Sequence, residues 1–346
     1  MNRRQWLSMV AAALPALRGG LRAQAPDFSE ILKIDIHSHV FEDIPALNAM
    51  LRRNNVRTMN VCNNGSDTKN FAAMHRIAIA LFRSHPELFP FASTFDVTGV
   101  NEPDYSRKAI AWLDGTFRDG AVAVKIWKEV GLEVKKKDGT FMLPDNEVFD
   151  PIYAHLAEPI DAWLPLDPDS PHYRYYSTNP QWHLYGKPQY PSHAAIIAAR
   201  DRILEKHPTL TLIGAHLGSL EHDLDGIAQR LDRYPNFNIE CAARTRNLTR
   251  HPSDKVRALF VKYQDRIMYG VDASWKPFLA ASEPTEAHRQ DHVKRLEERY
   301  RVDYQYYAGT GEMQYDGRPT TSLGLPREVL EKFYNRNARR LIALPK

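Results

Sequence analysis

From Ile31 onward, short apolar runs alternate with longer stretches of helical periodicity. The runs at 33–40, 56–62, 89–96, 121–127, 209–215, 236–242 and 266–271 are short and rich in β-branched or aromatic residues, and read as strands. Helical patterns occupy 44–54, 67–85, 104–118, 146–157, 193–207, 221–233, 253–264 and finally 326–342. Strand–helix alternation of this length without a break in composition predicts one α/β domain over residues 26–346, a (β/α)8 TIM barrel. A doubly wound sheet is the competing architecture. It normally places a glycine-rich phosphate turn after its first strand, whereas here that strand ends His37-Ser38-His39-Val40-Phe41. The chain also carries no P-loop and no GxSxG elbow.

Two long segments fall outside the repeat. Residues 131–143 alternate about Asp138-Gly139 and predict a β-hairpin. Residues 159–192 are crowded with Pro, Trp and Tyr, and a loop of that length within a compact domain is more often functional than structureless. It reads as a lid over the barrel mouth, with Trp163 as its substrate contact; an aromatic-stapled surface loop or an oligomer contact is the alternative. Before the repeat, Arg3-Arg4, an apolar run from Trp6 to Leu17 and an Ala23-Gln24-Ala25 cleavage pattern predict an export signal over residues 1–25. The paired arginines point to the twin-arginine route and a bacterial periplasm, with Sec export also compatible. The apolar run is shorter than the roughly 20 residues that span a bilayer.

Composition narrows the function classes. Hydrophobic residues are 43% of the 346 and charged residues 25%, as in ordinary globular proteins. A net charge of +4 supplies no footprint for nucleic acid or an acidic membrane surface. The expected partner is a small-molecule substrate, and a homo-oligomer is compatible. Two cysteines, Cys62 and Cys241, each inside an apolar run, make no disulfide framework and read as buried thiols.

In a barrel enzyme the site gathers at the C-terminal ends of the strands. Residues 33–40, read as a regular strand, set Ile34 and Ile36 on one face and Asp35, His37 and His39 on the other. His37 and His39 then sit about 6–7 Å apart at Cα, close enough for both imidazoles to reach one cation. Taken alone, the pair can equally be two polar residues meeting water. Later strand ends supply Lys125 with Lys128, then His216, then Glu240 and Arg244, and last Asp272. Each is weak alone, and the ordered set is specific. Arg244 is either a clamp for an anionic substrate or the ion-pair partner of Glu240.

Asp35-Ile-His37-Ser-His39, Val124-Lys-Ile-Trp-Lys128, His155-Leu-Ala-Glu-Pro159, Gly214-Ala-His216-Leu-Gly218, Arg266-Ile-Met-Tyr-Gly-Val-Asp272 and Asn337-Ala-Arg-Arg340 together resemble the amidohydrolase superfamily. The likeness is to its amidohydrolase-2 branch, which includes decarboxylases of the aminocarboxymuconate-semialdehyde type and TIM-barrel metal-dependent hydrolases. It extends over most of residues 30–344. The resemblance implies one divalent metal, usually zinc, held by His37, His39, a strand-5 histidine (His155) and Asp272. It implies too that His216 stands over the bound water. Asp272 then doubles as the proton-transfer group, and Lys125 is more a partner for a substrate carboxylate, or for a buried acid, than a bridge between two metals.

The strand-5 region departs from the pattern. A helical run, Asn146 to Tyr153, leads straight into His155, and the hairpin consumes much of the length from Trp127. A parallel crossover takes a dozen or more residues. His155 therefore reaches the metal from a distorted edge; the alternative is that it lies on the helix and faces away. The expected activity is hydrolysis of a C–N or C–O bond by a metal-activated water. The alternatives are non-oxidative decarboxylation of an unsaturated or aromatic acid, and an inactive barrel that only binds.

Overall fold

The computed structural model describes residues 26–63, 67–155, 158–160 (backbone), 184, 186–280 and 282–345. The export segment, Trp163 and most of the predicted lid lie outside these residues. Among the described residues the barrel staves are β1 (Lys33–Val40), β2 (Val56–Val61), β3 (Phe91–Ser93), β4 (Ala121–Val124), β5 (Glu158–Ile160), β6 (Leu212–Gly214), β7 (Phe237–Glu240), and β8 (Ile267–Met268) continued by β9 (Ala273–Trp275). Every pairing between them is parallel. β8 pairs with β7 while β9 pairs with β1, so the last stave joins the two sheets. Tyr269 O accepts from Ile36 N at 3.1 Å and Trp275 O from Phe41 N at 2.9 Å, which closes that side. β4 and β5 belong to separate hydrogen-bonded sheets. The TIM barrel is thus present, with an unladdered junction at the crossover whose length was short.

Ile34, Ile36, Met59, Val61, Ala92, Ala123, Ile213 and Met268, from six staves, meet in one buried cluster. This is the barrel interior. Ala338 and Ile342 join it and plug its lower end, held there by Asn337 Nδ2, which donates to Gln264 O at 2.7 Å and Ile267 O at 2.8 Å. A larger apolar layer lies between staves and helices. Helix Tyr105–Arg118 shows how the sequence builds it: Tyr105, Ala109, Leu113 and Thr116 fall on one buried stripe. Side-chain caps start three other helices: Asp67 accepts from Asn70 N, Ser192 from Ala195 N, and Asp223 from Gly226 N.

The predicted hairpin is reduced to one antiparallel bridge, Lys135 with Phe141, around the expected Gly139 turn. Two elements were not anticipated. The stretch after the last stave holds a 23-residue helix, Glu286–Ala308, and an antiparallel ribbon of β10 (Glu312–Tyr315) and β11 (Arg318–Thr321). The helix buries His292, Leu296, Tyr300, Asp303, Tyr304 and Tyr307, so its inner stripe is largely tyrosine and polar. Asp303 accepts from Tyr269 and Tyr315 hydroxyls at 3.0 and 2.6 Å, which makes that stripe tolerable in the interior.

Candidate metal centre

The regular alternation expected for β1 is broken. Asp35 pairs with Thr58 and Ser38 with Asn60, so three residues of β1 oppose two of β2. A bulge of this kind re-aims the chain. Ile34 and Ile36 pack in the barrel interior while Asp35 turns outward, where Oδ2 accepts from Ser38 Oγ at 2.6 Å, Thr58 Oγ1 at 3.2 Å and Tyr300 OH at 2.8 Å. Its Oδ1 accepts the backbone N–H of His37 and of Val271, both at 3.1 Å. Asp35 therefore does not share a face with the histidines, as a straight strand would require. It ties down the bulge that sends them inward.

His37 and His39 converge as expected, their ring centroids 5.3 Å apart. Asp272 Oδ1 lies 3.3 Å from His39 Nε2 and 3.9 Å from His37 Nε2. These three form one cluster with ligand atoms within 4.8 Å of one another. His216 joins beside His37, ring centroids 4.9 Å apart. Each histidine is fixed by its other nitrogen. Nδ1–H of His37 donates to Glu240 Oε1 at 2.9 Å, that of His39 to Val61 O at 2.7 Å, and that of His216 to Ala242 O at 2.7 Å. The proton on Nδ1 leaves Nε2 as the lone-pair nitrogen, the arrangement typical of metal-ligating histidines. Nε2 of His37 and of His39 are buried with no hydrogen-bond partner among the described residues. Orphaned buried acceptors facing a carboxylate fit a cation. Two nitrogens and an oxygen are a donor set for a divalent transition metal.

Charge agrees with geometry. Burial, then the nearby Lys125 charge, lowers the His37 pKa, and burial with Lys276 draws His39 down to about 4. Both are neutral, and so able to ligate, at pH 7. Burial pushes the Asp272 carboxyl up, but the close approach of His39, with His37 and His216 beside it, outweighs burial and holds the group below the usual carboxylate range. Asp272 is an anion.

Glu240 is the residue that spacing alone undervalued. It does not pair with Arg244. Besides His37, its Oε1 accepts the backbone N–H of His216 at 2.9 Å, and Oε2 accepts from Ala242 N. With its oxygens committed to three donors, Glu240 positions two histidines rather than ligating. Arg244 instead meets Glu221, Nε to Oε1 3.3 Å.

Backbone strain concentrates here. His216, Leu217, Gly218 and Ser219 all have φ near +60°, as does Asp272, with Ala243 at 54°. The left-handed region costs a non-glycine residue roughly 1–2 kcal/mol, and such strain persists where the surroundings over-determine it. Arg200, buried, donates from Nη1 to Gly218 O at 2.5 Å and lies 4.6 Å over the Phe237 ring, bracing that turn.

His155 is the correction. It ends helix Asp150–His155, exposed, with Nε2 2.7 Å from Asp114 Oδ1, and is absent from the cluster. β5 begins three residues later, so the missing crossover length leaves His155 on the outer helix instead of at a strand end. Lys125 is buried, its Nζ 5.7 Å from the Trp127 ring, which in turn meets His39 edge-on at 6.0 Å. A cavity of about 720 Å³, lined by Pro26, Arg257, Leu325 and Arg327 among others, includes none of these residues. Cys62 and Cys241 are buried free thiols, as expected.

Strand-end histidines, a terminal-stave aspartate and a parallel barrel define a metal-dependent barrel enzyme. The chain belongs to the amidohydrolase family, whose profile matches residues 34–344. No curated protein matches it. Solved structures similar to it include an uncharacterized TIM-barrel protein from Bordetella bronchiseptica, 16% identical with TM-score 0.50, covering 89% of this chain and 97% of that one. A probable 2-pyrone-4,6-dicarboxylic acid hydrolase from Acinetobacter baumannii, with citric acid bound, is 11% identical with TM-score 0.50, covering 90% and 99%. A 5-carboxyvanillate decarboxylase from Novosphingobium aromaticivorans, complexed with manganese and a nitrobenzoic acid, is 12% identical with TM-score 0.50, covering 92% and 97%.

Proposed function

We propose that this amidohydrolase is a zinc-dependent hydrolase, exported to the periplasm, that cleaves a C–N or C–O bond in a small anionic molecule. The observation that carries the metal reading is the pair of buried, partnerless Nε2 atoms of His37 and His39 facing Asp272 Oδ1. His37, His39 and Asp272 would hold the ion. When bound, a divalent ion supplies Lewis acidity and lowers the pKa of water from 15.7 towards about 7.

The chain's residues do the rest. Asp272, ionised at neutral pH and 24% exposed, takes a proton from the attacking water through its outer oxygen and returns it to the leaving group. His216, with its proton on Nδ1 held by Ala242 O, turns Nε2 towards the centre as an acceptor that orients the water. Glu240 keeps both rings in register. Lys125 contributes positive charge near His37, suited to a substrate carboxylate, while Arg244 is engaged with Glu221.

Decarboxylation is the second reading, since a structure of the same fold is a carboxyvanillate decarboxylase with manganese. Turnover of lactones, amides and aromatic acids by zinc- and manganese-loaded chain in 18O water separates the two. The proposal expects label in a new carboxylate and loss of turnover in Asp272→Asn. Carbon dioxide release without label would replace it with the lyase.

A further inference from the structure

Lys276 is the first residue beyond β9, on the rim where the last stave meets β1. Its backbone is anchored: Trp275 O accepts from Phe41 N at 2.9 Å, Trp275 Nε1 donates to Glu42 Oε2 at 2.6 Å, and the Trp275 ring packs 4.8 Å from His292. From that fixed base the Lys276 ammonium reaches past the end of β1 to Asn63, just beyond β2, donating to Oδ1 at 3.0 Å. Ser274, two residues before it, pairs with His39, and the lysine is close enough for its charge to be felt by His39 and by Asp272. Among the described residues no carboxylate lies within ion-pair distance of its Nζ. An ammonium carries three donors, and a neutral amide takes one. A half-buried cation held in place by an amide, near the metal ligands and with no described acid in ion-pair range, is built for an anion that arrives.

We infer that Lys276 is a specificity-determining residue that binds a substrate carboxylate separate from the group that reacts. This rests on the proposed metal-dependent reading, and names for it a substrate class: acids carrying a second, non-reacting carboxylate. Arrival of such a group satisfies the two remaining ammonium donors and neutralises a charge that has no carboxylate in ion-pair range among the described residues.

The test uses the metal-loaded full chain, with metal content measured in every sample. Binding of benzoate and of the three benzenedicarboxylates is titrated calorimetrically to the parent, Lys276→Met and Lys276→Arg. A charge-assisted contact predicts that at least one dicarboxylate binds the parent roughly tenfold more tightly than benzoate. Lys276→Met should erase that preference with metal content and benzoate affinity unchanged, and Lys276→Arg should retain most of it. A preference that survives in Lys276→Met, no preference in the parent, or an equal loss for benzoate overturns the inference while leaving the metal reading intact. A parent chain that takes up no metal overturns both.

Discussion

At the residue scale, the chemistry depends on which atom of each side chain is committed elsewhere. His37, His39 and His216 all spend Nδ1 on a protein acceptor, and Glu240 supplies one of those acceptors and orients a second histidine by its backbone. Glu240→Gln should therefore keep the fold but lose alignment. One of its two ends becomes an amide N–H₂ facing either the His37–His216 pair or Ala242 N–H, donor against donor. Loss of such a supporting hydrogen bond weakens metal affinity about 10–100-fold, measurable by chelator competition; unchanged affinity would remove Glu240 from the account. The HxH pair, His216 and Asp272 were legible because they end predicted strands. Glu240's role and Lys276 were not, since neither has a spacing signature: each acts through a contact with a residue more than 200 positions away.

At the element scale, two local conformations aim the site, and neither is written in the usual punctuation. The β1 bulge contains no glycine, so alternation read from the sequence put Asp35 on the histidine face and Ile36 off it; the ladder count with β2 decides otherwise. The turn 216–219 contains one glycine among four left-handed residues. A Cβ at Gly218 would stand 2.9 Å from the Phe237 ring and 3.0 Å from Arg200 Nη1, both on the braces of that turn. Gly218→Ala is expected to cost about 1–3 kcal/mol through overpacking, seen as a lower urea midpoint at unchanged slope. An unaltered midpoint would mean that the turn is not braced as described. Helix Glu286–Ala308 escaped prediction for a compositional reason: beyond Val293 and Leu296 its buried stripe is mostly tyrosine, with His292 and Asp303, so the periodicity of aliphatic residues is weak. The His155 misassignment has the opposite origin. A family-like motif outweighed a chain too short to carry it to a strand end.

At the scale of the whole molecule, the barrel is closed where strand 8 meets strand 1, and the buried groups behind that seam couple stability to pH. Lys33, at the base of β1, is buried; its Nζ donates to Ile31 O at 2.7 Å and sits 4.1 Å over the Phe28 ring, with no carboxylate in ion-pair range among the described residues. Burial lowers its pKa from the ordinary 10.5 to about 7. Between those values the unfolded chain binds more protons than the folded one, so stability rises with pH from about 7 towards 10, at up to about 1.4 kcal/mol per pH unit from this group. Below pH 7 the penalty is present in full. Denaturation of the parent and Lys33→Met at pH 7, 8 and 9 should show that slope in the difference between them; parallel curves would contradict it. The alternation of strands and helices made the barrel itself readable, whereas the unladdered β4–β5 junction followed only from counting crossover length. That junction is also what separates His155 from the site. The most direct measurement is metal content of the purified chain beside His37→Ala and His155→Ala. The account predicts about one divalent ion per chain in the parent and in His155→Ala, and its loss in His37→Ala. Equal loss in both variants would return His155 to the centre, and a parent that binds no metal under reloading would contradict the centre altogether.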